Sequence, residues 1–424
     1  MKPLDTITCL ALATGCAVVM NEAGAAELKT AGDIDQLVAR ALAENPEIRF
    51  YETQIDLGHA ELKSAGTRAN PTLSMGGGHK QVNSGGISNG YAFTASVAQR
   101  IEFPQRIQLR KSIANGQIEL ARLGLEQFRA IIANRIRAAA FGRQAANERA
   151  GVAESVAQRT SGLLQALTQR DPAGVAPLLE RRVIEARLVQ LKRQARGFVS
   201  EAEQHRRELN YLVGSPLTAD FPFSPMRPAL PEIPTDEALF TMMETNNFDL
   251  RFHSEEIAQQ GFRVKLARHE RLPEVTLQPF FARETGGGSE NIAGLGFSLP
   301  LPLWNRNKGR IDAAKARENQ LRASFEATVR KLHRDLVFHS ESYRARKRQL
   351  ADWSAKSVEE FKKAAELGDR HFRLGAIEVS TYLELQTQYL DAIDSLLELK
   401  EEAYEELLEL ELLTGASLTG KESK

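Results

Sequence analysis

The chain of 424 residues carries 55 basic and 55 acidic side chains, and aromatics make up 7% of it. That balance gives no electrostatic footing for nucleic-acid binding. Both cysteines, Cys9 and Cys16, lie in the first twenty residues, so the remainder can form neither a disulfide nor a thiolate metal site.

Residues 1–25 read as an export signal. Lys2 is followed by an apolar run from Ile7 to Met20 and a small-residue site at Ala23-Gly24-Ala25. Ala13-Thr14-Gly15 before Cys16 is an alternative cleavage site that would leave Cys16 lipidated. Ala13 stands where Leu, Val or Ile is usual, and the apolar run continues past the cysteine, so cleavage further on is the better reading. Beyond the signal no run of 18 apolar residues occurs, and no transmembrane helix is expected.

Ile34, Leu37, Val38, Ala41 and Leu42 have helical spacing, and Asn45-Pro46 opens a second helix that runs to about Ala69. Two stretches of period two follow, over Thr72–Lys80 and Tyr91–Phe103, around a glycine-rich loop at Asn83–Gly90. This loop lacks the spacing of a phosphate cradle. Arg106 to Gln169 then holds no proline and is rich in strong helix formers, so one helix of roughly 96 Å is expected. After a turn at Asp171-Pro172-Ala173-Gly174 the chain returns as a helix over 177–213. Ile184, Leu188, Leu191, Ala195, Phe198, Ala202, His205, Leu209 and Leu212 step by 4 and 3 along it, a coiled-coil seam.

A proline-rich linker, 215–234, separates this unit from a second copy of itself. Asn45-Pro46 is answered by Asn247-Phe248 at a spacing of 202, and Gly174 by Gly375 at 201. The seam recurs as Leu385, Tyr389, Ala392, Leu396, Leu399, Ala403, Glu406, Leu410 and Leu413. The chain is therefore read as two repeats, 30–214 and 235–415, with a tail at 416–424. The second repeat is expected to place a strand pair within 274–303, a long helix at 306–372 and a returning helix at 377–413. The returning helices span only about 55 Å. Each long helix thus needs a composite partner, the short and returning helices stacked end to end.

Two strands per unit, four per chain, cannot close a barrel, for which about eight is the practical minimum. Yet each strand has an apolar and a small or polar face. Leu295, Phe297, Leu299, Leu301 and Leu303 would face lipid, and Gly294, Gly296 and Ser298 a lumen. Open sheet edges are not tolerated in lipid, so several chains must share one barrel, and three would supply twelve strands.

These features resemble the TolC family of outer-membrane efflux proteins. The resemblance is carried by Asn45-Pro46-Glu47, by the junctions Arg100–Arg106 and Leu299–Gly309 with their Pro-Leu-Pro-Leu-Trp run, and by the turn Leu374–Val379. The two junctions are most similar to the heavy-metal branch of CzcC-type proteins. The resemblance implies a mainly α fold with a transmembrane β portion. Three chains would form a twelve-stranded β-barrel in the outer membrane and an α-helical barrel in the periplasm. It also implies a passive conduit from an inner-membrane pump of the resistance-nodulation-division type and a periplasmic adaptor to the exterior, for heavy-metal cations. Adaptor contact would fall at the hairpin tips, Asp171, Ala173, Gly174 and Val175, and Leu374, Gly375, Ala376 and Ile377. A periplasmic constriction would be ringed by Glu366 and Asp369, although a solvated helix face explains those two acids equally. Drug efflux or type I protein secretion would use the same duct. A periplasmic scaffold is the alternative of another class; an adaptor would carry an all-β block that the sequence lacks.

No catalytic, cofactor or metal site is expected. The eight histidines, at 59, 79, 205, 253, 269, 333, 339 and 371, are scattered, with no H-E-x-x-H pair.

Overall fold

A computed structural model describes residues 34–83, 88–170, 175–214, 230–353 and 355–418. The chain order is α1 (Ile34–Glu44), α2 (Pro46–Gly66), β1 (Thr72–Val82), β2 (Ser88–Ile101), α3 (Pro104–Arg170), α4 (Val175–Val213), α5 (Asp236–Asn246), α6 (Phe248–His269), β3 (Val275–Thr285), β4 (Ser289–Ser298), α7 (Lys308–Asp352), α8 (Ala355–Arg373) and α9 (Val379–Thr414). The signal region, Cys16 and the turn 171–174 lie outside the described residues.

The first long helix is continuous. Pro104 opens α3, where a missing N–H costs nothing, and the helix runs for 67 residues without a break, about 100 Å. Its cover is a composite: α2 and α4, of 21 and 39 residues, both pack along it. The joint between them is built by Asn45. Its side-chain oxygen accepts from Glu47 N at 2.8 Å, capping α2, while its amide donates to Leu212 O at 2.8 Å, satisfying a terminal carbonyl of α4. The second unit repeats this joint. Asn247 accepts from Leu250 N and donates to Leu413 O at 2.9 Å, which joins α6 to α9. Each returning helix ends on a left-handed glycine, Gly214 (φ 76°) or Gly415 (φ 63°).

Each joint sits on its own apolar core. Leu37, Val38 and Ala41 of α1 meet Ile132 and Ile136 of α3 and Leu209 and Leu212 of α4. Leu239 and Met243 of α5 meet Leu332 and Leu336 of α7 and Tyr404 and Leu407 of α9. A third core fuses the units: Ala153, Val156 and Ala157 of α3 pack with Leu191 of α4, Ala365 of α8 and Leu390, Ile393 and Leu397 of α9. Helix α9 therefore buries a second stripe beside its coiled-coil seam, because α3 lies against it as well as α7 and α8.

Several sequence-based boundaries need correction. The expected second long helix at 306–372 is two helices, α7 and α8, interrupted at Trp353, whose backbone is extended (φ −83°, ψ 92°). Asp352 and Ser354 flank Trp353, and both residue types favour competing side-chain bonds over helix. The last strand ends at Ser298 and not Leu303, since Pro300 and Pro302 have no N–H for a ladder. Conversely Ser88–Gly90, expected in the loop, extend β2 and pair with Lys80–Val82. Helix α2 stops at Gly66, short of Ala69. The described end of the linker is clamped: Tyr343 of α7 donates to Pro231 O at 2.7 Å and Lys347 pairs with Glu232 at 2.6 Å.

The two glycine caps differ in surroundings and so in their tolerance of alanine. A Cβ on Gly415 would stand 2.5 Å from the backbone oxygen of Asn246, whereas one on Gly214 meets nothing nearer than 3.5 Å. Gly214→Ala is expected to cost about 1–2 kcal/mol for the left-handed backbone. Gly415→Ala should cost more, by about a further 1–3 kcal/mol for overpacking, read as the difference in denaturation midpoints. Ile136→Pro, at a fully buried position in the middle of α3, should cost about 3 kcal/mol or more. An unchanged denaturation midpoint would contradict a continuous, buried α3.

Candidate functional site

The sheet runs β1-β2-β3-β4, antiparallel throughout, and β2 pairing with β3 joins the two repeats. Between Ser96↔Phe280 and Gln99↔Leu277 the β2–β3 ladder lapses, beside Pro279, which cannot donate. The register sorts the side chains onto two faces. Leu73, Met75, Tyr91, Phe93, Val97, Leu277, Phe281, Leu295 and Phe297 share one, and Phe297 is 78% exposed. Ser74, Gly76, Lys80, Thr94, Ser96, Gln278 and Glu284 share the other. There Gln278 donates to Ser96 at 3.0 Å, and Lys80 pairs with Glu284 across β2.

Gly294, Gly296 and Ser298 do lie on the second face. That face is not uniformly small or polar, because Phe280 and Ile292 belong to it, and the ring of Phe280 fills the space over Gly294. Within the chain the outer edges of β1 and β4 have no strand partner among the described residues. No described helix is long and apolar enough to cross a membrane.

Where the strands meet the helices, Arg106 ties the repeats together. It is buried at the start of α3 and donates to His269 O at 2.8 Å, to Leu272 O and to Glu274. It thereby caps the carbonyl end of α6 and holds the entry to β3. Sequence reasoning placed Arg106 at a junction but could not see that its partners lie more than 160 residues away.

At the opposite end, the described tip is the turn between α8 and α9. Gly375 (φ 77°) donates to Phe372 O and Ala376 donates to His371 O, both at 2.9 Å, the paired bonds of a Schellman cap. Leu374 projects outward at 80% exposure, while Ile377 packs inward with Phe372 and Tyr382. Asp171, Ala173 and Gly174 of the other tip lie outside the described residues, and Val175 is described only as the start of α4. Glu366 and Asp369 are both on α8. Asp369 is held by Arg373 at 2.9 Å, whereas the nearest cation to Glu366 is Arg159 at 3.8 Å.

The helical wall also contains a charge cluster that the sequence did not reveal. Arg149 of α3, 6% exposed at its side chain, faces Glu201 of α4 and Asp394 and Glu401 of α9, each at 3.2 Å. Burial pushes the carboxyls of Asp394 and Glu401 up, and Arg149 opposes this. His205 stands four residues after Glu201 and 3.9 Å from Glu401, so Glu201, His205 and Glu401 place their ligand atoms within 4.8 Å of one another. Because the guanidinium of Arg149 already bonds both glutamates, the trio is part of an interhelical ion network. The Glu201–His205 spacing of four was the one sequence signal that could have found it.

Both carboxyls have native values above those of the unfolded chain. The stability they contribute is therefore complete below the ordinary carboxylate range and is lost as pH rises through the raised values. Arg149→Met removes the opposing cation. It should destabilise the protein by about 3–5 kcal/mol at neutral pH, and the deficit relative to wild type should shrink on acidification toward pH ~4. Thermal midpoints measured across that range check the sign.

Residues 239–416, most of the second repeat, match the family described as outer membrane efflux protein. No functionally curated protein shows significant sequence similarity to the chain. Solved structures do share its fold. The outer-membrane channel OprN superposes with a TM-score of 0.74 at 20% identity, over 91% of this chain and 90% of that one. The CmeC outer membrane channel of Campylobacter jejuni gives 0.73 at 15% identity, over 92% and 87%. CusC, whose structures concern folding and transmembrane channel formation, gives 0.69 at 12% identity, over 91% and 92%. At these identities the likeness is one of fold.

Proposed function

We propose that the chain is the outer-membrane channel of a tripartite efflux system. The observation that carries the reading is the sheet: four strands with one apolar exposed face and two open edges, mounted on a helical body whose longest helix, α3, is about 100 Å long. Open edges are not stable in hydrocarbon, and four strands are too few to close. Three copies joined edge to edge, β4 of one to β1 of the next, satisfy both constraints with a twelve-stranded barrel. The helices then continue it as a periplasmic tunnel. Residues 1–25 direct export, with Cys16 as a lipidation point if cleavage falls before it.

The protein performs no bond chemistry in this reading. An inner-membrane pump of the resistance-nodulation-division type and a periplasmic adaptor supply energy and selection. Leu374–Ile377, with Asp171–Val175 of the other hairpin, are the adaptor contacts, and the exposed Leu374 supports this. Heavy-metal cations are the cargo, on the strength of the two strand-to-helix junctions. A trimer that dissociates only on heating, recovered in the outer-membrane fraction, tests the channel itself; a soluble monomer would return the scaffold reading. Sensitivity of a deletion strain to zinc, cobalt, cadmium, copper or silver tests the cargo, and unchanged metal tolerance would favour drug efflux or protein secretion.

Two variants probe the periplasmic end. Leu374→Asp should weaken cross-linking to the adaptor by about tenfold, the loss of one buried apolar anchor, and leave the denaturation midpoint unchanged. Glu366→Lys would place three cations at a three-fold constriction and should shift single-channel selectivity away from cations; unchanged selectivity would return Glu366 to a solvated helix face.

A further inference from the structure

The returning helices of the two repeats, α4 and α9, bring three metal-ligating side chains together, away from the sheet and the tips. Glu201 and His205 stand four apart and so share one face of α4. Glu401 of α9 faces them. One oxygen of each glutamate and one ring nitrogen of His205 lie within 4.8 Å of one another, and all three residues are partly buried. Arg149 does not use up these ligands. It bonds Oε1 of Glu201 and Oε2 of Glu401. The other oxygen of Glu401, Oε1, is the one turned to His205 Nε2, at 3.9 Å. That distance is too long for a hydrogen bond, so no direct bond accounts for their convergence.

Space and charge at the same spot both favour a cation. Helix α3 passes over the pair at Gly142, where an added Cβ would stand 2.5 Å from His205 Cε1 and 2.7 Å from Glu401 Oε1. Glycine is a poor choice in a helix interior. Here its missing side chain leaves the imidazole and the free carboxylate oxygen room to lie side by side. One guanidinium, that of Arg149, is set against three carboxylates, those of Glu201, Asp394 and Glu401. With a neutral imidazole the cluster holds one positive and three negative charges, a formal excess that one divalent ion cancels. Asp394 also holds Arg149 Nε at 3.2 Å, so the guanidinium keeps a partner when the glutamates turn to a metal. The groove outside, about 460 Å³ and lined further by Glu398 and Glu405, is an entry path that attracts cations.

We infer that Glu201, His205 and Glu401 form a site for a divalent transition-metal ion of the zinc type, which clips α4 of the first repeat to α9 of the second. One imidazole and two carboxylates are a donor set for zinc and its neighbours, whereas magnesium and calcium take oxygen ligands. Bonds of about 2.0–2.2 Å place the ligand atoms of a tetrahedral ion roughly 3.4 Å apart. Rotation of side chains already within 4.8 Å of one another closes that difference. Three protein ligands leave the fourth position to water. The clip follows from the helical body alone and needs neither a membrane-spanning sheet nor a metal cargo.

The purified full-length protein, stripped with a chelator, is titrated with zinc chloride alone while binding heat and the thermal midpoint are followed. Zinc should raise the midpoint of the wild type, because it binds the folded chain, and magnesium at the same concentration should not. His205→Gln removes one ligand and leaves every bond of Arg149 in place. It should lose one zinc per chain, or bind it at least about tenfold more weakly, since loss of an outer-shell partner alone costs about 10–100-fold. Its metal-free midpoint should match that of the wild type. Gly142→Ala keeps all three ligands but fills the space beside them, and it should weaken zinc binding as well. If His205→Gln does not fold, Glu201→Gln takes its place with the same expected loss. The site is overturned if the wild type shows no zinc-dependent rise in midpoint, or if the ligand variant binds as many zinc ions as tightly as the wild type.

Discussion

A helix of 67 residues must be covered along its whole length, and no single partner in the chain is long enough. The rest of the architecture answers that constraint. Helices α2 and α4 are stacked end to end, and the gap between them is closed by an asparagine that satisfies one free amide of one helix and one free carbonyl of the other. Buried helix ends are costly when unpaired. The recurrence of the same device at Asn247 therefore says that the joint, and not merely the helices, is the repeated unit.

Fusion of the two units is less symmetric. Helix α9 takes the centre, with α3 on one side and α7 and α8 on the other, so it is apolar on two stripes. Arg149 reaches from α3 to α4 and α9 together. At the far end Arg106 fastens the first junction to the turn between α6 and β3. One buried cation in the wall and one at the neck keep the repeats in register where apolar contacts alone would allow sliding. Breaking either leaves unpaired carboxylates or carbonyls behind.

Periodicity and spacing were enough to read the duplication, the composite partner of the first long helix, the returning helices and the two-faced strands. They failed where one residue's local chemistry outweighed the pattern. The stretch 306–372 holds no proline, yet the helix is interrupted at Trp353. Alternation continues through Leu299, Leu301 and Leu303, yet the prolines between them end the strand. The alternation therefore gave the exposure of these leucines and missed the irregular backbone that carries them. The tip glycine Gly375 was legible because few other residues suit a left-handed cap.

By itself the sequence determined the length of the first long helix and of the returning helices, and the alternation of side chains along the strands. These follow from 3.6-fold and twofold side-chain periods and from the rise per residue, which need no partner to be read. Tertiary structure alone decided which face meets which: the sharing of α9, the Arg149 network, the grip of Arg106, and the strand order β1-β2-β3-β4 that joins the repeats through β2 and β3. Those pairings link residues that are mostly more than 100 positions apart. Their energies depend on geometry that no local pattern encodes.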